Sequence, residues 1–204
     1  MEYVFEKGFL ADLSRMVERT LLENKERAGA LTGKYDTVKG EIVLAGVQDI
    51  SDRVKYRSGF AMVAEPVGPS SFDGSEPVEG YSVDFPQPGV SFGWDAFISM
   101  WRRIQDGSLI GTLHTHVIEY DHLTPALPAK DEEFLSKTGG IIVAGGWSPY
   151  NYGKYGDFRI SRVEPHSGKV VTDCKSIELS LPEKALKAGF DLDSYYGPFF
   201  DPFD

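Results

Sequence analysis

The 204-residue chain holds a single cysteine, Cys174. One thiol forms no internal disulfide and no multi-cysteine metal site, so neither device holds this fold together. Basic charge is also scarce: 21 Lys and Arg stand against 31 Asp and Glu, a formal net charge of −10. No nucleic-acid partner is expected, because phosphate binding needs clustered cations. An acidic surface favours a basic or neutral protein partner instead. No apolar run reaches the ~18 residues that argue for a membrane span. The start, Met1 to Lys7, lacks the basic head and apolar stretch of a secretion signal. The expectation is a soluble, cytoplasmic protein with no membrane partner, leaving a non-classical export route open. Low-complexity linkers and internal repeats are missing as well, so the chain does not divide readily.

What is present suits one globular domain with a sizeable core: 41% hydrophobic and 13% aromatic residues. Residues 1–190 are expected to form that domain, and residues 191–204 an aromatic, acidic tail. Leu10, Leu13, Met16, Val17 and Leu21 fall at helical spacing between Phe9 and Lys25. Glycine-marked Glu26–Gly33, then Glu41–Val47, Phe60–Val67 and Tyr81–Phe85 read as strands, with a Pro/Gly/Ser-rich loop over 68–80. A second helix is expected from a Ser91 cap to Asp106–Gly107, with Trp94, Phe97, Ile98, Trp101 and Ile104 as its core face. Ser108–His116 reads as a buried strand and Ala129–Lys137 as a third helix closed by Gly139–Gly140. Ile141–Ala144 is a further strand, and Trp147–Gly156 an aromatic loop. Asp157–Val163 and Lys169–Asp173 pair as a hairpin. Three helices among six or seven strands predict an α/β fold: a mixed, mostly antiparallel, curved sheet flanked by helices.

His114 and His116 carry the chemistry. Side chains at i and i+2 of a strand leave from the same face, so both imidazoles can reach one ion at ~2.0–2.1 Å, the usual zinc–nitrogen distance. Two neutral nitrogens are insufficient, and an oxygen anion from another element is required. Asp131, Glu132 and Glu133 at the start of the third helix offer one, although acids in a first turn are also ordinary dipole partners. A hydrolase further needs a base, and Glu26, opening a strand just after the first helix, is the candidate.

These residues together resemble the JAMM/MPN (JAB domain) zinc metallopeptidases. Glu26, Gly29, Leu31 and Gly33 match that family's Glu-x-x-Gly-x-Leu-x-Gly segment after an N-terminal helix. Ile110 to His116 matches its Val-Gly-x-x-His-Ser/Thr-His-Pro strand up to the proline, which is Val117 here. The likeness spans roughly residues 9 to 165. It implies an MPN-like, cytidine-deaminase-related fold, zinc held by His114 and His116, and Glu26 as general acid/base. It also implies a third ligand in the family's Pro-Ser-x-x-Asp motif. Here the loop is about four residues longer, and Asp131 is the preferred ligand with Glu132 second. Pro128 or Ala129 then replaces the serine that stabilises the oxyanion, so Thr124 or a backbone N–H would stand in. His122, in the same loop, is read first as a solvent-exposed loop histidine, with a spare ligand or substrate contact as the alternative. His166 has no assigned role. The implied activity is hydrolysis of a peptide or isopeptide bond in a protein substrate, with ubiquitin-like conjugates as the substrate class. The alternatives are an inactive MPN-like scaffold, or a secreted effector using the same chemistry and docking through Tyr195–Phe200. The deaminases themselves need Pro-Cys-x-x-Cys, which one cysteine cannot supply.

Overall fold

The computed structural model describes residues 1–36, 38–53, 55–57, 89–91, 94–119, 129–164 and 167–196. Helix α1 (Lys7–Glu23) buries Phe9, Leu13, Met16, Val17 and Leu21 along one stripe. It stops at Asn24, whose left-handed backbone (φ 47°) turns the chain out of the helix. β1 (Glu2–Phe5) precedes it. Four residues are too few to display alternation, which is why the sequence does not announce this strand. β2 (Arg27–Asp36) and β3 (Glu41–Asp49) are both longer than the apolar pattern indicates.

β4 (Lys55–Arg57) and β5 (Gly89–Ser91) make a separate two-stranded ribbon. Ser91 is therefore not the cap of the second helix: its backbone pairs with Lys55, and α2 (Trp94–Gln105) begins later. Among the described side chains of α2, Met100 is buried and Ile104 half-buried against the core, while Trp101 is 41% exposed. The apolar residues of this helix span more than one face, so packing decides which of them enters the core. The expected strands Phe60–Val67 and Tyr81–Phe85 lie outside the described residues, as do the loop over 68–80, His122, Thr124, Pro128, His166 and residues 197–204.

β6 (Gly111–His116) leads through α3 (Ala129–Thr138) to β7 (Ile141–Trp147), in which every residue is buried. Gly139, at φ 68°, closes α3 as expected. Trp147 belongs to β7 rather than to an aromatic loop; it is fully buried and its indole N–H donates to the Gly153 carbonyl at 2.9 Å. β8 (Tyr155–Val163) and β9 (Val170–Glu178) form the expected antiparallel hairpin, with β9 extended past Asp173. Residues 191–196, expected to open a tail, are helical. α4 (Glu183–Tyr196) packs on α1, with Lys184 to Glu18 at 3.1 Å and Ser180 N–H to Ser14 Oγ at 3.0 Å. Gly189, inside α4, makes room for a ring: a Cβ there would lie 3.1 Å from Trp147. The boundary expected at residue 191 thus falls inside a helix.

Among the described residues the principal sheet has seven strands in the order β1-β3-β2-β6-β7-β8-β9. β1–β3 and β6–β7 are parallel and the other pairs antiparallel, so the α/β, mixed and mostly antiparallel sheet is as expected. Alternating side chains build two cores. One joins α1 and Ala185 of α4 to Leu31, Leu113, Val143 and Phe158. The other joins Met100 of α2 and Phe134 and Leu135 of α3 to Ala28, Ala30, Ile142 and Ala144. No helix among the described residues is long and apolar enough to cross a membrane.

The two terminal strands meet, so the sheet is curled. Tyr3 of β1 donates its hydroxyl to Asp173 of β9 at 2.8 Å, and buried Arg162 of β8 donates to both, at 2.7 and 2.6 Å. Burial pushes the Asp173 carboxyl upward, but hydrogen bonds from Tyr3 and Arg162 and the Arg162 charge outweigh it and hold the carboxyl below its usual range. A depressed folded-state value stabilises the fold above the unfolded pKa of ~3.9, and that stabilisation is lost as pH falls through the folded value. Melting curves recorded from neutral to acid pH are expected to show a loss of stability below about pH 4 that is smaller in Asp173→Asn. Tyr3→Phe is expected to cost about 1 kcal/mol at neutral pH.

Candidate functional site

His114 and His116 leave the same face of β6, on the side of α2 and α3. The residue between them explains the orientation. Thr115 is fully buried on the opposite face; its Oγ1 lies 2.6 Å from Thr20 Oγ1 of α1 and accepts the Arg27 backbone N–H at 3.0 Å. Anchoring Thr115 to the first helix sets the rotation of the strand and turns both histidines the other way. Their ring centroids are 5.2 Å apart with planes at 46°.

Strand register supplies the neighbours. Antiparallel pairing sets Arg27 opposite Thr115 and Ala28 opposite His114, and Glu26, which directly precedes β2, is near enough for its charge to act on His116. The start of β2 is held firmly. Buried Arg27 pairs with Glu23 and, at 3.2 Å, with Asp49, and the Ala28 N–H donates to Ser51 Oγ at 3.1 Å. On the other side of β6, His114 is level with Ala144 and His116 with Gly146. A Cβ at Gly146 would meet the His116 carbonyl oxygen at 2.3 Å, so glycine permits the close approach of β7. The small residues Ala28, Ala144 and Gly146 leave the imidazoles uncrowded within the sheet.

Glu119 and Arg159 complete the cluster. Glu119 is buried; its backbone N–H donates to the Trp147 carbonyl at 2.9 Å, and its Oε2 lies 2.7 Å from His116 Nδ1. Arg159 of β8 donates to the same oxygen at 3.0 Å, with its Nη2 3.5 Å from Nδ1. Neither residue stands out in the sequence. Glu119 falls in an irregular segment, and Arg159 reaches the site because β8 is two strands from β6, an order that no local pattern reveals. The one hint is an acid among apolar neighbours, Val117-Ile118-Glu119. A cleft of roughly 210 Å³ continues from Glu119 and Arg159 along β8 and β9, past Asp157, Cys174 and Ser176.

The two histidines differ in charge. Burial, then the proximity of His116 and of Arg159, pushes His114 down to about 3, so it is neutral at physiological pH and keeps a lone pair for a ligand. His116 is moved the other way. Burial opposes its protonated form, but the Glu119 hydrogen bond and the charges of Glu119 and Glu26 prevail and raise its pKa.

Among the described residues no group of three His, Cys, Asp or Glu is arranged to hold a metal ion. Asp131 and Glu132 lie in the first turn of α3, but their side chains are outside the described residues. The topology bears on them nonetheless. β6 and β7 are parallel, so α3 must run back between their ends and start near the carboxyl end of β6. Its ten residues cover roughly 15 Å and the six of β6 roughly 20 Å, which brings the first turn of α3 toward the level of the histidines. Glu133 is exposed and pairs with Lys137, which holds its carboxyl below the usual range. The donors present among the described residues, two imidazoles on one strand with small neighbours, are of the kind zinc takes, and a third ligand would have to come from another element. No family model matches the chain, and no curated protein matches it either.

Proposed function

We propose that this chain is a zinc-dependent hydrolase of JAMM/MPN type that cleaves a peptide or isopeptide bond in a protein substrate. One observation carries the reading: His114 and His116 stand together on β6, and Glu26, which directly precedes the neighbouring strand β2, lies close enough for its charge to act on His116. A curled mixed sheet with helices on both faces suits an MPN-like architecture. His114, His116 and Asp131 would hold the metal, with Glu132 as the substitute for Asp131. Zinc, when bound, supplies a Lewis acid that polarises a carbonyl and acidifies a water. Glu26 takes the proton from the attacking water and returns it to the leaving amine, the two transfers that amide hydrolysis requires. Arg27, paired with Glu23 and Asp49, fixes the strand that presents Glu26.

The test is metal content and hydrolysis of ubiquitin-like conjugates, compared between the parent and His114→Ala. The parent is expected to carry equimolar zinc and to cleave. His114→Ala is expected to lose both. A parent that binds no zinc and cleaves nothing would refute the enzyme. It would leave a non-catalytic scaffold, the reading favoured by Val117 in place of the motif proline and by Pro128 or Ala129 in place of its serine.

A further inference from the structure

The contact between His116 and Glu119 has no counterpart in the motif. We propose that Glu119, clamped by Arg159, is a positioning residue that fixes the ring orientation and tautomer of His116 and so presents Nε2 as its ligand atom. The proposal rests on the zinc reading above. Its geometry does not.

Three observations support it. Glu119 Oε2 is 2.7 Å from His116 Nδ1, so a carboxylate, which can only accept, keeps the proton on that nitrogen. With Nδ1 committed as a donor, the lone pair of the neutral ring resides on Nε2, across the ring. Second, Glu119 is itself immobilised. It is buried, its backbone N–H is tied to the Trp147 carbonyl at 2.9 Å, and Arg159 holds its oxygen at 3.0 Å. Third, the Arg159 guanidinium excludes the rival role for Glu119. It lies 3.5 Å from Nδ1 and against the carboxylate, so a metal cation bound at that carboxylate would sit beside a fixed positive charge. Glu119 is thus placed behind His116 as an outer carboxylate. Such partners fix the tautomer of a ligating histidine and raise its basicity, and their loss commonly weakens metal binding ~10–100-fold.

The experiment uses the full chain with Glu119→Ala and Glu119→Gln. Nitrogen chemical shifts of His116 are recorded in the metal-free protein well above the histidine range, where the ring is neutral. The parent is expected to show the Nδ1–H tautomer, and Glu119→Ala is expected to lose it. Zinc affinity, measured by chelator competition, is expected to fall ~10–100-fold in Glu119→Ala. It should recover in part in Glu119→Gln, whose amide oxygen can still accept the Nδ1 proton. If Glu119→Ala does not fold, because Arg159 is left unpaired, Glu119→Gln keeps the volume and carries the test through an intermediate affinity. An Nε2–H tautomer in the parent, or equal zinc affinity in parent and folded Glu119→Ala, overturns the proposal. If the parent binds no zinc, the hydrolase reading fails on its own account. The tautomer shift still decides whether Glu119 orients His116.

Discussion

Glu26→Gln is expected to lower hydrolysis by about 10²–10⁴-fold while leaving the bound zinc and the melting temperature near those of the parent. The amide keeps the size and hydrogen-bonding reach of the carboxylate but takes no proton from water at neutral pH. Glu26 directly precedes β2, the strand paired with β6, and its charge acts on the His116 ring. Metal content should be retained because the reading gives Glu26 a proton-transfer role rather than a ligand role. Single-turnover rates on a ubiquitin-like conjugate, together with zinc analysis of the same preparation, give the answer. Equal turnover in mutant and parent would remove Glu26 from the mechanism. Loss of zinc together with activity would make it a ligand.

The second large effect concerns the third ligand. Asp131→Asn is expected to abolish stoichiometric zinc binding and, with it, hydrolysis. Glu132→Gln is expected to retain both. Losing one of three protein ligands should exceed the ~10–100-fold cost of an outer partner, so chelator competition will separate the two variants. The expectation follows from helix geometry. Position 131 precedes Phe134 and Leu135 by three and four residues, and those two are buried in the core that joins α3 to the sheet. Position 132 precedes buried Leu135 by three but exposed Ser136 by four, so it is turned further from that core. The reverse outcome would assign Glu132, and zinc retained by both would place the ligand elsewhere.

Much of the local structure is legible in the residues themselves. The stripe of α1, the glycine stop of α3 and the β8–β9 hairpin all follow from periodicity and turn chemistry, which act over a few neighbours. Misreadings occurred where packing overrode local signals. Residues 191–196 belong to α4 instead of a tail, Ser91 pairs in a ribbon instead of capping α2, and Trp101 yields the core to Met100. Each was decided by a partner distant in the chain.

The same division holds for the site. The sequence by itself determined that His114 and His116 share a face, because alternation along a strand is a property of the backbone. It also determined that one cysteine and a net charge of −10 leave imidazole and carboxylate as the metal-binding chemistry at hand. Only the tertiary structure decided that Glu26 comes within reach of His116, that Thr115 is anchored to Thr20, and that Glu119 and Arg159 stand behind His116. Those placements depend on strand order and register. Both are set by which apolar faces pack together across the fold, and no window of neighbouring residues records that.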